Sequence, residues 1–255
     1  MVRFLVFCGM IAFGRFAFSQ DQLTVAAAAD LQSVLKEVAT RFEKQTGSKV
    51  GLSFGSSGTF FAQIQNGAPY DVFFSADVDY PEKLEAAGLA EPGSLYQYAI
   101  GKIVLWVPTG SGVDVTKGLA IVADPAVRRL AIANPAHAPY GRAAEAALKR
   151  VGLWEKVSSK LVLGENISQA AQFVQSGNAD AGILALSLVL ASAMKDKGRY
   201  FEVQQELYPP LRQAAVILKN SGHKQTAHQF MEFMKTPEIK SLLQHYGFAV
   251  EEMAQ

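Results

Sequence analysis

Residues 54–60 read FGSSGTF. Five small residues, Gly55 to Thr59, separate the run KVGLSF (49–54) from the run FFAQIQNG (60–67). A strand before and a helix after make Gly-Ser-Ser-Gly a strand-to-helix turn. At such a turn, amides and hydroxyls can converge on an anion at the helix N-terminus. A plain Gly-Ser turn has the same composition, so the motif alone leaves both readings open. It is not a nucleotide phosphate loop, because no Gly-Lys-Ser/Thr follows.

The same unit recurs outward from this point. LTVAAAA (23–29) suits a buried strand, and Asp30 stands where a helix N-cap would stand. Leu31, Val34, Leu35, Val38 and Phe42 then recur at helical spacing, and Gly47 closes that helix. DVFFSAD (71–77) is a third buried strand, and YPEKLEAAGL (80–89) a helix with proline in its first turn. Further strands are expected at 98–108, 128–135, 160–163, 181–186 and 213–218. Helices are expected from Gly141 to Val151 and from Ile167 to Ser176, and a C-terminal pair splits at Pro237. Alternating strands and helices predict an α/β fold whose sheets are parallel-rich and covered by helices. Ligands of such sheets gather at the carboxyl ends of strands.

The chain has 255 residues, 49% hydrophobic and 18% charged, with 24 basic and 23 acidic side chains. That is ordinary for a globular protein of one large domain or two lobes, and no basic stripe points to nucleic acid. Residues 1–19 read as a signal peptide: Arg3, an apolar run from Phe4 to Phe13, and Ala17-Phe18-Ser19 before the cut. An uncleaved anchor or a tail is the other reading, and Arg15 is the residue that fits a signal least. Cleavage removes Arg3 and Arg15, turning the net charge from +1 to −1, and removes Cys8, the only cysteine. A chain without cysteine suits an oxidising periplasm. Phe7 before Cys8 fits a lipoprotein signal poorly.

Three other turns share the character of GSSG: AAAAD (26–30), NPAHAPYGR (134–142) and GENIS (164–168). Together with NGAPYDVFFSADVDYPEKL, YAIGKIVLW and HYGF, these segments resemble the periplasmic molybdate-binding proteins of ABC importers, from about Leu23 to Phe248. The resemblance implies a two-lobed type II periplasmic binding fold with the ligand in the inter-lobe cleft. Lobe 1 is expected over 20–107 and 214–255, and lobe 2 over 108–213. It further implies a monomer that uses no cofactor and is not an enzyme. Such a protein captures molybdate or tungstate as an intact oxyanion and delivers it to a membrane permease, with no protein atom on the metal. Carried over by position, the oxyanion-binding residues are Asp30, Ser57, Tyr140 and Ile167. Ser57 offers amide and hydroxyl, and Ile167 its amide. Many members carry a tyrosine where this chain has Ala185, and Tyr140 is expected to supply a hydroxyl instead.

Micromolar affinity needs about 8 kcal/mol. Hydrogen bonds to a charged group contribute roughly 1.5–3 kcal/mol each, and helix ends roughly 0.3–1 kcal/mol, so five or six bonds suffice without a lysine or arginine. Asp30 is the difficulty. A carboxylate about 5 Å from a dianion, at an effective dielectric of ~20, repels it by roughly 6–7 kcal/mol. The leading expectation is that Asp30 turns back to cap its own helix at Gln32 or Ser33. Otherwise Asp30 is protonated, or the ligand is a protonated oxyanion such as phosphate or arsenate that donates its proton to Asp30.

The remaining candidates read as structural. His223 and His228 are five apart, which is not a helical metal pair. His137 is expected at a surface turn, with a place lining the cleft as the other reading, and Arg142 in a solvated first helical turn, with a role as ligand or as partner of Asp30 as the other. Phe230, Met231, Phe233 and Met234 read as packing. Tyr96 and Tyr98 lack the acidic or histidine companions of an iron site. A Ser57 nucleophile would need a base, and no nucleophile elbow surrounds it. A cytoplasmic sensor of the same fold would carry a helix-turn-helix where this chain has a signal-like segment.

Overall fold

The computed structural model describes residues 22–250. The proposed signal peptide and Cys8 lie outside the described residues. Ten strands form two five-stranded sheets. They are β1 (Gln22–Ala28), β2 (Lys49–Gly55), β3 (Val72–Ser75), β4 (Tyr96–Gly101), β5 (Ile103–Pro108), β6 (Leu130–Ala133), β7 (Leu161–Gly164), β8 (Ala181–Ala185), β9 (Gly198–Glu202) and β10 (Leu211–Ile217). The helices are α1 (Gln32–Thr46), α2 (Ser57–Gln65), α3 (Asp79–Ala86), α4 (Pro139–Arg150), α5 (Trp154–Val157), α6 (Ile167–Gln175), α7 (Leu186–Leu190), α8 (Lys224–Met234) and α9 (Pro237–His245).

The sheet orders are β2-β1-β3-β10-β4 and β7-β6-β8-β5-β9. In each, four strands run in one direction and one strand is inserted antiparallel: β10 between β3 and β4, β5 between β8 and β9. This is the two-lobed α/β architecture expected from the sequence.

The expected strand over 98–108 is in fact two. Its first part, β4, pairs with β10 in one sheet, and β5 pairs with β8 and β9 in the other. Lys102 marks the passage, and its Nζ bonds Glu202 Oε1 at 2.7 Å. By sheet membership the chain therefore crosses between Gly101 and Ile103, and returns between Glu202 and Leu211. Both crossings come earlier than the expected 107/108 and 213/214. An extended chain keeps its two-residue period while it changes partners, so the run shows no break in sequence.

The first lobe's core follows the helical spacing read in α1: Leu31, Val34, Leu35, Val38 and Phe42 are all buried. Phe42 meets Phe230 edge-on at 5.1 Å between ring centres, and Met231, Phe233 and Met234 pack into the same core. Phe73 and Phe74 serve opposite faces, as consecutive strand residues must. Phe74 faces the α1–α8 side, and Phe73 joins Phe60, Ile64 and Leu84. This two-sided burial holds β1, β2 and β3 with their carboxyl ends at one edge. The ends of β6 and β7 face that edge from the second lobe.

Candidate functional site

Each of the four residues expected from sequence sits at the start of a helix. Asp30 lies in the 3-10 turn Ala29–Leu31 that leads into α1. Ser57 and Ile167 are the first residues of α2 and α6, and Tyr140 is the second of α4. All four line one small cavity between the lobes, together with Ser56, Asn166 and the small residues around them. No lysine or arginine lines it.

The helix starts are arranged to leave donors unspent. The first turn of a helix has amides without intrahelical partners. At Ala28, Ser56 and Ala138 the N-cap side chain makes no capping bond. Only Asn166 caps its helix, accepting from Gln169 N at 3.0 Å. Ser56 is a residue type that normally caps. Here its Oγ donates instead across the lobes, to the carbonyl of His137 at 2.6 Å. Gly58 N donates to that carbonyl at 3.0 Å. A Cβ on Gly58 would lie 2.6 Å from His137 O and 2.7 Å from the Tyr80 hydroxyl, so glycine is what lets the lobes approach. Ser57 Oγ accepts from Ala76 N at 2.9 Å, which leaves its own proton to donate elsewhere.

Asp30 does not cap α1; this corrects the leading expectation. The α1 N-cap position is Leu31, without a side-chain cap bond. The Asp30 carboxyl turns the other way. Its Oδ2 accepts from Gln213 Nε2 at 2.7 Å and from the Tyr140 hydroxyl at 3.1 Å. Its Oδ1 is buried and has no hydrogen-bond partner. Tyr140 therefore spends its hydroxyl proton on Asp30, not on the cavity, and receives a bond from Gln213 Nε2 at 3.1 Å. The Tyr98 hydroxyl lies 2.9 Å from Gln213 Oε1 and 3.0 Å from Ser75 O, which sets the orientation of the amide.

Gln213 was invisible as a site residue in the sequence. It reads as the polar first letter of an apolar strand, QAAVIL, yet it is fully buried. The β10–β4 register shifts between Gln213 and Ala214. The extra residue is Tyr98 on β4, which is left unpaired opposite Gln213 and Ala214; the Gln213 amide meets Asp30 and Tyr140. The available signal was a lone glutamine at the start of a run otherwise destined for a sheet interior.

Other candidates are placed as follows. His137 holds Ser56 Oγ at 3.0 Å through Nδ1, and its Nε2 is 3.6 Å from Glu165 Oε1. Arg142 is not simply solvated: it pairs with Asp77 and reaches the Tyr80 hydroxyl at 3.3 Å, another contact between lobes. Tyr98 belongs to the glutamine network. Among the described residues, no group of three or more His, Cys, Asp or Glu is placed to hold a metal ion.

Burial pushes the Asp30 carboxyl up from 3.8 to about 6, against the opposing pull of Gln213, Tyr140 and the backbone amides of Asp30 and Leu31. Tyr140 and Tyr98 are pushed well above the usual phenol range, also by burial and then by the nearby Asp30. A carboxyl raised in the folded state keeps its proton where the unfolded chain has lost it. Its contribution is therefore favourable below about 4 and is lost as pH rises through about 6. The penalty above pH 6 is about 3 kcal/mol at 1.36 kcal/mol per pH unit. Asp30→Asn keeps an acceptor for Gln213 and Tyr140 and removes the charge. Ligand-free thermal denaturation should show the variant more stable by up to that amount at pH 7–8, and equal to wild type at pH 4. Equal stability at both pH values would mean that Asp30 does not titrate in this range.

The family model for bacterial extracellular solute-binding proteins matches residues 23–249. The chain is 43% identical over 230 residues to the molybdate-binding protein ModA of Azotobacter vinelandii, covering 90% of each. It is 40% identical over 230 residues to ModA of Rhodobacter capsulatus, covering 90% of this chain and 89% of that one. The solved structure of the Azotobacter vinelandii periplasmic molybdate-binding protein superposes with a TM-score of 0.85, at 40% identity. It covers 90% of this chain and 100% of its own. Across both lobes and the helix starts between them, the chain belongs to the bacterial extracellular solute-binding protein family.

Proposed function

We propose that the protein captures molybdate or tungstate as an intact tetrahedral dianion between its lobes and delivers it to the membrane permease of an ABC importer. It acts as a periplasmic monomer after loss of its signal segment. The observation that carries this reading is the cavity at four helix starts, three of them without a side-chain cap and none with a lysine or arginine nearby in the lining. Relatives at 43% and 40% identity are named molybdate-binding proteins, and they are matched along 90% of this chain.

In this reading the protein supplies dipoles in place of charge. The amides at Ser57, Tyr140 and Ile167 and the Ser57 hydroxyl provide the donors, and the helix ends add their partial positive charge. Binding rather than catalysis follows from the same set. His137, the histidine close to the cleft, is held by Ser56 and Glu165 rather than poised on Ser57.

Calorimetry of the mature protein against molybdate, tungstate, sulfate and phosphate tests the ligand. Tight binding of the first two with weak sulfate binding is expected. Tight phosphate binding with molybdate rejected would overturn the assignment. Ser57→Ala removes one donor and keeps the amide, so molybdate affinity should fall by roughly 1.5–3 kcal/mol. Unchanged affinity would take the Ser57 side chain out of the site. Gly58→Ala puts a methyl where the His137 carbonyl must lie. Molybdate should then fail to contract the protein in small-angle scattering, while wild type contracts. Full contraction in the variant would show that the Gly58 contact does not govern closure.

A further inference from the structure

We propose that Asp30 binds the anion as the neutral acid, with its proton on Oδ1 donated to a ligand oxygen, so that each molybdate captured brings one proton with it from solvent. This rests on the function proposed above and adds a residue role and a pH dependence to the same site.

The geometry distinguishes the two carboxyl oxygens. Oδ2 accepts from both Gln213 and Tyr140, so it is committed to the acceptor role. Oδ1 belongs to a residue that lines the cavity and is buried without a hydrogen bond of good geometry; the amides of Asp30 and Leu31 lie close enough to favour the carboxylate but do not complete a bond to it. A proton taken up by Asp30 therefore goes to Oδ1, because a proton on Oδ2 would displace a bond already made there. With Oδ1 as a hydroxyl, the group that would repel a dianion becomes a donor to it. The orphaned buried oxygen then gains the partner that buried polar atoms ordinarily have.

The surroundings offer no cheaper neutralisation. On α4 the facing titratable group is Tyr140, and on β4 it is Tyr98; burial keeps both neutral. Gln213 on β10 is uncharged and already donates to Oδ2. Ser187 on α7 donates to the Asp30 carbonyl at 2.9 Å. Arg142 is paired with Asp77, and His137 with Ser56 and Glu165. Among the described residues no cation meets the carboxylate, so a proton is the means available. Burial has already brought Asp30 within reach of it, raising the carboxyl to about 6. Protonation at pH 7 then costs about tenfold in affinity.

The chemistry is a simple balance. Asp30 carboxylate, one solvent proton and the molybdate dianion give a complex in which Asp30 is a carboxylic acid bonded to a molybdate oxygen. Molybdate carries no proton at neutral pH, so the proton must come from buffer, and buffer heat reports it.

The test is titration calorimetry of the mature wild-type protein with sodium molybdate at pH 6, 7 and 8, each in two buffers of different ionisation enthalpy. Expected are about half a proton taken up per molybdate at pH 6 and close to one at pH 8. Affinity should fall about tenfold from pH 7 to 8. In Asp30→Asn, the uptake and the pH slope should vanish, whatever the affinity. Wild-type binding with flat affinity and no uptake would overturn this inference and leave the molybdate reading standing. Uptake that persists in Asp30→Asn would assign the proton to another group and overturn it as well. Should the variant not fold, the wild-type proton count decides alone. Absence of molybdate binding at every pH, or preference for phosphate whose own proton meets Asp30, would overturn both readings.

Discussion

Asp30 Oδ2 receives hydrogen bonds from Gln213 and Tyr140, and this pair of bonds ties together three distant parts of the chain. Asp30 follows β1, Tyr140 opens α4 in the opposite lobe, and Gln213 lies on β10 just after the chain returns from that lobe. All three must meet within hydrogen-bonding distance with no water-exposed path to relax into. Tyr98, the unpaired residue of β4, bonds the Gln213 amide oxygen through its hydroxyl, and the amide nitrogen in turn bonds the carboxyl. A hydrogen bond at this junction thus depends on both sheets, on the crossing strand and on closure of the lobes.

Holding an anion with dipoles carries a structural cost that the fold meets in a consistent way. Uncapped helix starts normally lose about 1 kcal/mol each. Ser56 is available to cap α2 but bonds His137 in the other lobe instead. Stability that would have gone to a local cap goes to the contact between lobes. The same exchange is seen at Asp30, whose carboxyl joins Tyr140 and Gln213 instead of the first turn of α1. Most buried polar side chains (Asp30, Ser56, Ser57, Ser75, Ser187 and Gln213) gather around this cleft, whereas Asp71 stands at the far end of β3. Polar burial is concentrated where the ligand is proposed to sit.

What was legible in the sequence was what is local. The spacing of Leu31 to Phe42 determines α1 because a helix shows its buried face every three to four residues. The small-residue turns were legible because backbone approach needs residues such as Gly55 and Gly58. Four strand-to-helix turns were legible as candidates, and the resemblance to molybdate-binding proteins then singled out Asp30, Ser57, Tyr140 and Ile167 at them. Three things were not legible, all because they depend on partners distant in the chain. The split of 98–108 at Lys102 changes which sheet a strand joins without changing its pattern. The direction of the Asp30 side chain is decided by Tyr140 and Gln213, 110 and 183 residues away. The role of Gln213 rests on its bonds to Asp30, Tyr140 and Tyr98, each more than 70 residues away in the chain.

Discrimination among tetrahedral dianions must come from something other than hydrogen-bond chemistry, because sulfate, molybdate and tungstate present the same four acceptors and the same charge. Size is the difference left, and size is read only by walls that do not move. The lobes are held beside the cavity by short contacts to backbone carbonyls: Gly58 N and Ser56 Oγ on His137 O, and the Ser187 hydroxyl on Asp30 O. Backbone contacts between two packed sheets resist adjustment far more than long side chains would. A lysine or arginine in the lining would add attraction, but it would follow the anion inward and blur the distinction between a larger and a smaller one. The absence of a cation from the lining and the rigidity of the lobe contacts therefore serve the same end. In the proposed site, affinity would come from many fixed donors, and selectivity from their being fixed.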